Sequence, residues 1–91
     1  MSADKRFDEI FDYRASAELF PGKDVRGRSR ASKYMRFDRA ADAIRFAVEQ
    51  LPGNILLGAY LEVNDKRYDS RGIYRLYNRA DYPLPRLADV A

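Results

Sequence analysis

Residues 38–51 carry an apolar period of about 3.6 residues, which is typical of an amphipathic helix. Its apolar positions share one helical face: Ala40, Ile44, Ala47, Val48 and Leu51. Asp38 is suited to cap the first turn, and Pro52-Gly53-Asn54 is suited to end the helix. Because an amphipathic helix cannot bury its apolar face alone, the rest of the chain must supply a second layer.

Three stretches predict strands for that layer. Residues 15–20 alternate in polarity until Pro21-Gly22, where proline removes the donor that a ladder needs. Residues 33–37 predict a second strand, antiparallel to the first. Residues 55–63 are apolar on both faces at first and then alternate, which favours a central strand. Asn64-Asp65 predicts a bend or short turn after it.

Asp69 or Ser70 is suited to cap a second amphipathic helix, whose apolar face is formed by Ile73, Leu76, Tyr77 and Ala80. A short apolar stripe in residues 1–13 predicts a marginal helix at the N-terminus. The predicted order is (α)ββαβα. We therefore expect a small two-layer α+β sandwich, in which a two- or three-stranded, mainly antiparallel sheet carries helices on one face.

The length of 91 residues is typical of a single domain with a thin core. We expect residues 1–91 to form one domain, with residues 1–13 and 82–91 as loosely attached ends. Residues 22–33 contain one apolar side chain larger than alanine, so little burial would offset the entropy cost of ordering them. We predict a mobile basic loop there.

Histidine and cysteine are both absent from the chain. Their absence excludes Ser-His-Asp and Cys-His catalysis, thiolate chemistry and histidine- or cysteine-ligated zinc. Glu62, Asp65 and Asp69 are the acidic grouping nearest to a metal site, but they lack the spacing of a calcium loop. We therefore predict a protein that is not an enzyme, with no catalytic residues, no cofactor and no metal.

The sequence also predicts a cytoplasmic location. No stretch of about 18 apolar residues could span a membrane, and the charged N-terminus does not read as a secretory signal. A cysteine-free domain of this size is more common in a reducing compartment than outside the cell.

Two stretches of the chain are similar in sequence to known proteins. They are YMRFDRAADAIRFAVE at residues 34–49 and GAYLEVNDKRYDSRGIYRLY at residues 58–77. These stretches resemble a group of small uncharacterised bacterial proteins, over roughly residues 34–86. The resemblance implies a bacterial cytoplasmic protein and implies no activity.

The positive charge is concentrated in one region. Residues 14–39 hold eight bases and three acids, whereas residues 40–91 hold seven of each and residues 1–13 are net negative. We predict that this region contacts the phosphates of nucleic acid or another polyanion through Lys23, Arg26, Arg28, Arg30, Lys33 and Arg36. The alternative is a solvated loop that is charged for solubility.

Two further groups are candidate contacts. Tyr34, Phe37 and Tyr60 can stack on bases if they lie on an exposed sheet face, or they can belong to the core. A secondary cationic row, Arg71, Arg75 and Arg79, can bind phosphates or an acidic partner. Alternatively, the row is a solvated helix face whose local partners are Asp69, Asp81 and Glu62.

A different class of function competes with polyanion binding. A small sheet leaves unpaired edges, which can pair with a second copy or with another protein. Tyrosine and arginine are also enriched at protein interfaces. The alternative hypothesis is therefore a protein-interaction module or a homodimer, which binds through a sheet edge or an aromatic face.

Overall fold

The computed structural model describes residues 10–22 and 35–87 of the chain. The strands are β1 (Ala17–Phe20), β2 (Met35–Phe37), β3 (Tyr60–Val63) and β4 (Lys66–Asp69). The helices are α1 (Ala40–Gln50), α2 (Gly53–Leu57) and α3 (Ser70–Asn78). Across the described ranges, no helix is long and apolar enough to cross a membrane.

The four strands form one antiparallel sheet in the order β2-β1-β3-β4. This confirms the α+β class with an antiparallel sheet, but the predicted two or three strands and the order (α)ββαβα are wrong. The fourth strand arises because β3 and β4 form a hairpin, in which Val63 pairs with Lys66. Asn64 and Asp65 both have positive φ, 52° and 67°, as a two-residue type I′ turn requires.

Helix α2 corrects the prediction of a continuous strand over residues 55–63. The first part of that stretch is helical, and Ile55 and Leu56 are buried while Leu57 is exposed. Periodicity cannot distinguish a strand from a helix in so short an apolar run. The chain turns at Gly58, and only Tyr60–Val63 pairs in the sheet.

The two longer predicted helices are confirmed as α1 and α3, but only one has the predicted cap. Asp38 is exposed and does not cap α1. The first amides of α1, those of Ala40 and Ala41, donate instead to the carbonyl oxygens of Ala15 and Tyr13, at 2.6 and 2.9 Å. Backbone from a distant part of the chain therefore satisfies the donors that a cap would have taken.

Helix α3 has the side-chain cap that the sequence predicted. The Oδ1 atom of Asp69 accepts a hydrogen bond from the amide of Gly72 at 3.0 Å. We expect Asp69→Ala to lower the free energy of unfolding by about 1 kcal/mol, because one amide of the first turn loses its acceptor. Urea denaturation measures this loss. Asp38→Ala is the control and should change stability by no more than a few tenths of a kcal/mol, so equal losses would contradict the assignment.

Helices α1 and α3 cover one face of the sheet. Leu19 and Leu61 are paired between β1 and β3 and are fully buried on that face. They pack in one core with Ile44 of α1 and Ile73 of α3. We call the opposite face of the sheet, which carries Arg36, Glu18, Phe20, Tyr60, Glu62 and Arg67, the open face.

The segments next to the ends of the chain make specific contacts. Residues 10–13 are not helical, which corrects the predicted helix over residues 1–13 at its end, and the rest of that prediction lies outside the described residues. Phe11 and Tyr13 are buried, while Ile10 is 95% exposed. In residues 82–87, the hydroxyl of Tyr82 donates to the carbonyl oxygen of Ala41 at 2.9 Å. We expected residues 82–91 to be loosely attached, and this contact ties their first residue to α1.

Arg86 ties the same segment to the end of α3. Its guanidinium donates to the carbonyl oxygens of Tyr77 and Arg79, at 2.6 and 2.5 Å. The last carbonyls of a helix have no partner within the helix, and a cationic donor suits them. Residues 88–91 lie outside the described part.

Candidate functional site

The predicted polyanion site lies mostly in a part of the chain that is not described. Lys23, Arg26, Arg28, Arg30 and Lys33 all fall between residues 23 and 34, outside the described residues. Both ends of the segment are described. The amide of Gly22 donates to the carbonyl oxygen of Ile55 at 3.1 Å, and Met35 pairs with Leu19 in the sheet. Residues 23–34 therefore join β1 to β2 at the end of the sheet where Phe20 pairs with Tyr60.

Arg36, the sixth predicted cation, lies on the open face and contacts an acid. Its Nη1 atom lies 3.6 Å from Oε2 of Glu18, and its side chain is 67% exposed. In register across the four strands, Arg36 faces Glu18, Glu18 faces Glu62 and Glu62 faces Arg67. Arg67 donates to Glu62 at 2.9 Å, and this hydrogen bond raises the pKa of Arg67. Each arginine of the row thus has a glutamate beside it, and the row is close to electrically neutral.

The aromatic side chains of the open face stack on each other. The rings of Phe20 and Tyr60 are nearly parallel, at 12°, with centroids 4.6 Å apart. The guanidinium of Arg67 lies 4.1 Å from the centroid of Tyr60. Because β3 lies between β1 and β4, these two neighbours cover opposite faces of the Tyr60 ring. Tyr60 consequently has no ring face left for a base.

Phe37, the second predicted stacking residue, does not lie on the open face. The ring of Phe37 contacts that of Phe46 on α1, with centroids 5.7 Å apart, and packs against the core. Tyr34 lies outside the described residues. The core alternative therefore holds for Phe37.

The structure divides the predicted cationic row. Arg79 follows the last residue of α3 and forms two 2.9 Å hydrogen bonds to Asp81, which lower the pKa of that carboxyl group. Arg71 and Arg75 are exposed on α3, in the layer on the other side of the sheet from Arg36. The row and Arg36 therefore do not form one surface.

The outward side of α3 contains residues that the sequence analysis missed. Tyr74 and Asn78 lie on the same helical face as Arg71 and Arg75, at spacings of i, i+3, i+4 and i+7. We call these four residues the outer α3 face. A shallow groove of about 340 Å³ runs beside it, lined by Tyr74, Arg75, Asn78 and Arg79. The signal was present in the sequence, because Ile73, Leu76 and Tyr77 define the opposite, buried face.

The acidic residues considered for a metal do not form a cluster. Glu62 is bonded to Arg67, and Asp69 caps α3. Within residues 10–22 and 35–87, no three side chains of metal-ligating type are grouped to hold an ion. The same residues contain no buried side-chain nitrogen or oxygen atom that lacks a hydrogen-bond partner.

The sequence matches no family model, and it matches neither a curated protein nor a solved structure. The resemblance of residues 34–86 to small bacterial proteins stays a prediction. The function has to be inferred from the residues themselves.

Proposed function

We propose that this protein is a small, non-enzymatic, cytoplasmic binding module that contacts nucleic acid or another polyanion through a basic segment. The segment runs from residue 23 to residue 36. Its contact residues are Lys23, Arg26, Arg28, Arg30, Lys33 and Arg36.

The distribution of charge is the observation that carries this proposal. The described residues contain ten basic and nine acidic side chains, whereas residues 23–34 contain five basic side chains and one acid. Several arginines of the described residues also have a carboxylate beside them, as in Arg39–Asp42 and Arg79–Asp81. Attraction of a polyanion is consequently strongest at the basic segment.

Binding through this segment depends on contacts with phosphates rather than with bases. Both faces of the Tyr60 ring are covered, and Phe37 packs against the core. Neither of these two rings supports stacking on a base, so we assign the affinity to contacts with phosphates. Contacts with the backbone predict a strong dependence on salt.

Titration of the full chain with labelled single- and double-stranded oligonucleotides tests the proposal. If five phosphates are neutralised on a duplex, the logarithm of the binding constant should fall against the logarithm of salt with a slope of about −4 to −5. Arg26→Ala, Arg28→Ala and Arg30→Ala together should make the slope shallower by about 3, at roughly 0.9 for each contact.

The matched control removes three positive charges at exposed positions outside the segment, in Arg14→Ala, Arg39→Ala and Lys66→Ala together. It should bind almost as tightly as the wild-type protein. Absence of binding at low salt would contradict the proposal. Equal weakening in the two triple variants would also contradict it, because net charge alone would then explain the affinity.

The open face favours a second candidate function, a protein-interaction or self-association module. Helices α1 and α3 leave this face uncovered, and the Phe20–Tyr60 pair lies on it. Sedimentation equilibrium distinguishes the candidates. Self-association that is lost in a Phe20→Ala, Tyr60→Ala variant and insensitive to salt would support the second candidate, and a strict monomer that captures no protein would remove it.

A further inference from the structure

We infer that the outer α3 face, Arg71, Tyr74, Arg75 and Asn78, is a second contact surface for the phosphate backbone of a nucleic acid. The inference rests on the proposed function. It concerns a surface that is separate from the basic segment and lies wholly within the described residues.

The geometry of α3 presents these four side chains together. The helix buries Ile73, Leu76 and Tyr77, so the side chains at positions 71, 74, 75 and 78 point away from the core. All four residues are exposed, and the side chain of Asn78 donates to the carbonyl oxygen of Tyr74 at 3.0 Å. Arg71 and Arg75 are one helical turn apart, which places their Cβ atoms roughly 6 Å apart.

The side chains of the outer α3 face suit a ligand that accepts hydrogen bonds. Each side chain can donate hydrogen bonds, through guanidinium, hydroxyl or amide groups, and none of the four carries a carboxylate. Phosphate oxygens only accept, and planar guanidinium groups suit them in both shape and charge. The face therefore complements a phosphate chain.

The three acids that the sequence suggested as local partners of the cationic row each have another hydrogen bond. Asp69 accepts from the amide of Gly72, Asp81 is held by Arg79, and Glu62 is bonded to Arg67 on the other side of the sheet. Each of the three predicted local partners thus has a hydrogen-bonding role elsewhere.

The apolar content of the face favours a nucleic acid over an acidic protein. A stable protein interface needs an apolar centre that excludes water. Among the four residues, only Tyr74 offers a large apolar surface, and it is 45% exposed. A phosphate backbone needs no such centre, because charge and hydrogen bonds supply most of its affinity.

Helix α3 begins at the end of the sheet to which the basic segment is attached. Asp69 pairs with Tyr60, and Tyr60 pairs with Phe20, so these three residues lie at one end of the sheet. Helix α3 begins there, directly after Asp69, and residues 23–34 join β1 and β2 at the same end. The Arg71 end of the face is therefore at the end of the sheet to which the basic segment is attached.

The test compares an Arg71→Gln, Arg75→Gln variant of the full chain with an Arg14→Gln, Arg39→Gln variant of equal net charge. Both pairs are exposed, and circular dichroism should show that both variants fold like the wild-type protein. Using the same labelled oligonucleotides, we expect the α3 variant to bind on the order of tenfold more weakly and its salt slope to be shallower by about 1.5 to 2. We expect the control variant to bind like the wild-type protein.

The outcomes separate this inference from the proposed function. If the α3 variant binds like its control while the Arg26, Arg28 and Arg30 variant is weakened, the inference is overturned and the proposed function stands. If only the α3 variant is weakened, the inference stands and the basic segment is not the contact surface. If the wild-type protein binds no oligonucleotide at low salt, both are overturned. If it binds polyglutamate in preference to the oligonucleotides, the inference is overturned, while the proposed function stands for a polyanion other than nucleic acid.

Discussion

Between pH 10 and about pH 12 the protein is expected to lose on the order of 4 kcal/mol of its free energy of unfolding. Burial raises the pKa values of Tyr13 and Tyr82 to about 12, from an ordinary value of 10.0. The hydroxyl of Tyr13 donates to the carbonyl oxygen of Leu76 at 2.8 Å, and the nearby carboxylate of Asp81 raises its pKa further. Tyr82 donates to the carbonyl oxygen of Ala41.

The direction of this pH dependence follows from the difference between the pKa values of the two tyrosines in the folded and unfolded states. Folded-state pKa values above the unfolded values mean that the fold binds these two protons more tightly. Their contribution is complete below pH 10 and is lost as the pH rises through about 12. One pKa unit corresponds to about 1.4 kcal/mol, so the rise in pKa from 10.0 to about 12 corresponds to about 2.8 kcal/mol for each tyrosine, of which about 2 kcal/mol is lost between pH 10 and pH 12. A chain of this length is stable by roughly 5 to 14 kcal/mol, so the loss is a large share.

Urea denaturation at a series of pH values measures this loss. Tyr13→Phe and Tyr82→Phe should each make the decline with pH shallower, although each also lowers stability at neutral pH by about 1 kcal/mol through a lost hydrogen bond. Tyr74→Phe is the control, since Tyr74 is exposed, and it should leave the decline unchanged. A free energy of unfolding that is constant over this range would contradict the assignment.

Gly22→Ala is expected to lower the free energy of unfolding by about 3 kcal/mol. A Cβ atom at Gly22 would lie 2.3 Å from the carbonyl oxygen of Ile55 and 2.9 Å from the Cα and carbonyl carbon atoms of Gly58. These are backbone atoms and cannot rotate away. The chain around α2 would have to move from the end of β1, which would break the hydrogen bond from the Gly22 amide to Ile55.

Gly53→Ala is the matched control for this substitution. A Cβ atom at Gly53 would meet no atom within 4 Å, and Gly53 is the exposed first residue of α2. We expect no loss of stability there, and a gain of up to about 1 kcal/mol through the reduced entropy of the unfolded chain. Urea denaturation at neutral pH compares the two variants, and equal effects would show that close approach is not the reason for glycine at position 22.

Most of the helical structure could be predicted because its causes are local. Helices α1 and α3 follow from apolar spacing, and the cap of α3 follows from Asp69. Helix α2 could not be predicted, because its short apolar run suits a strand equally well. The hydrogen bonds at the first turn of α1 could not be predicted from neighbouring residues, because its amides donate to the carbonyl oxygens of Tyr13 and Ala15, which are distant in sequence.

Some features of the candidate contact residues could also be predicted from the sequence, while others depend on the tertiary structure. The outer α3 face is encoded by spacing within nine residues, and the excess of positive charge in residues 23–34 can be counted directly. The pairing of Arg36 with Glu18, in contrast, joins residues that are far apart in the chain. Glu62 faces Glu18 across 44 positions, and only their shared place in the sheet puts Arg36 and Arg67 at the two ends of one row.

The sequence by itself therefore determined the periods of the helices, the class of the fold and the places where charge accumulates, because each depends on neighbours within a few residues. The tertiary structure alone decided that Arg36 lies beside Glu18 and that both faces of the Tyr60 ring are covered. Those outcomes depend on the strand order β2-β1-β3-β4, and burial of Leu19 and Leu61 against α1 and α3 stabilises that order across long stretches of chain.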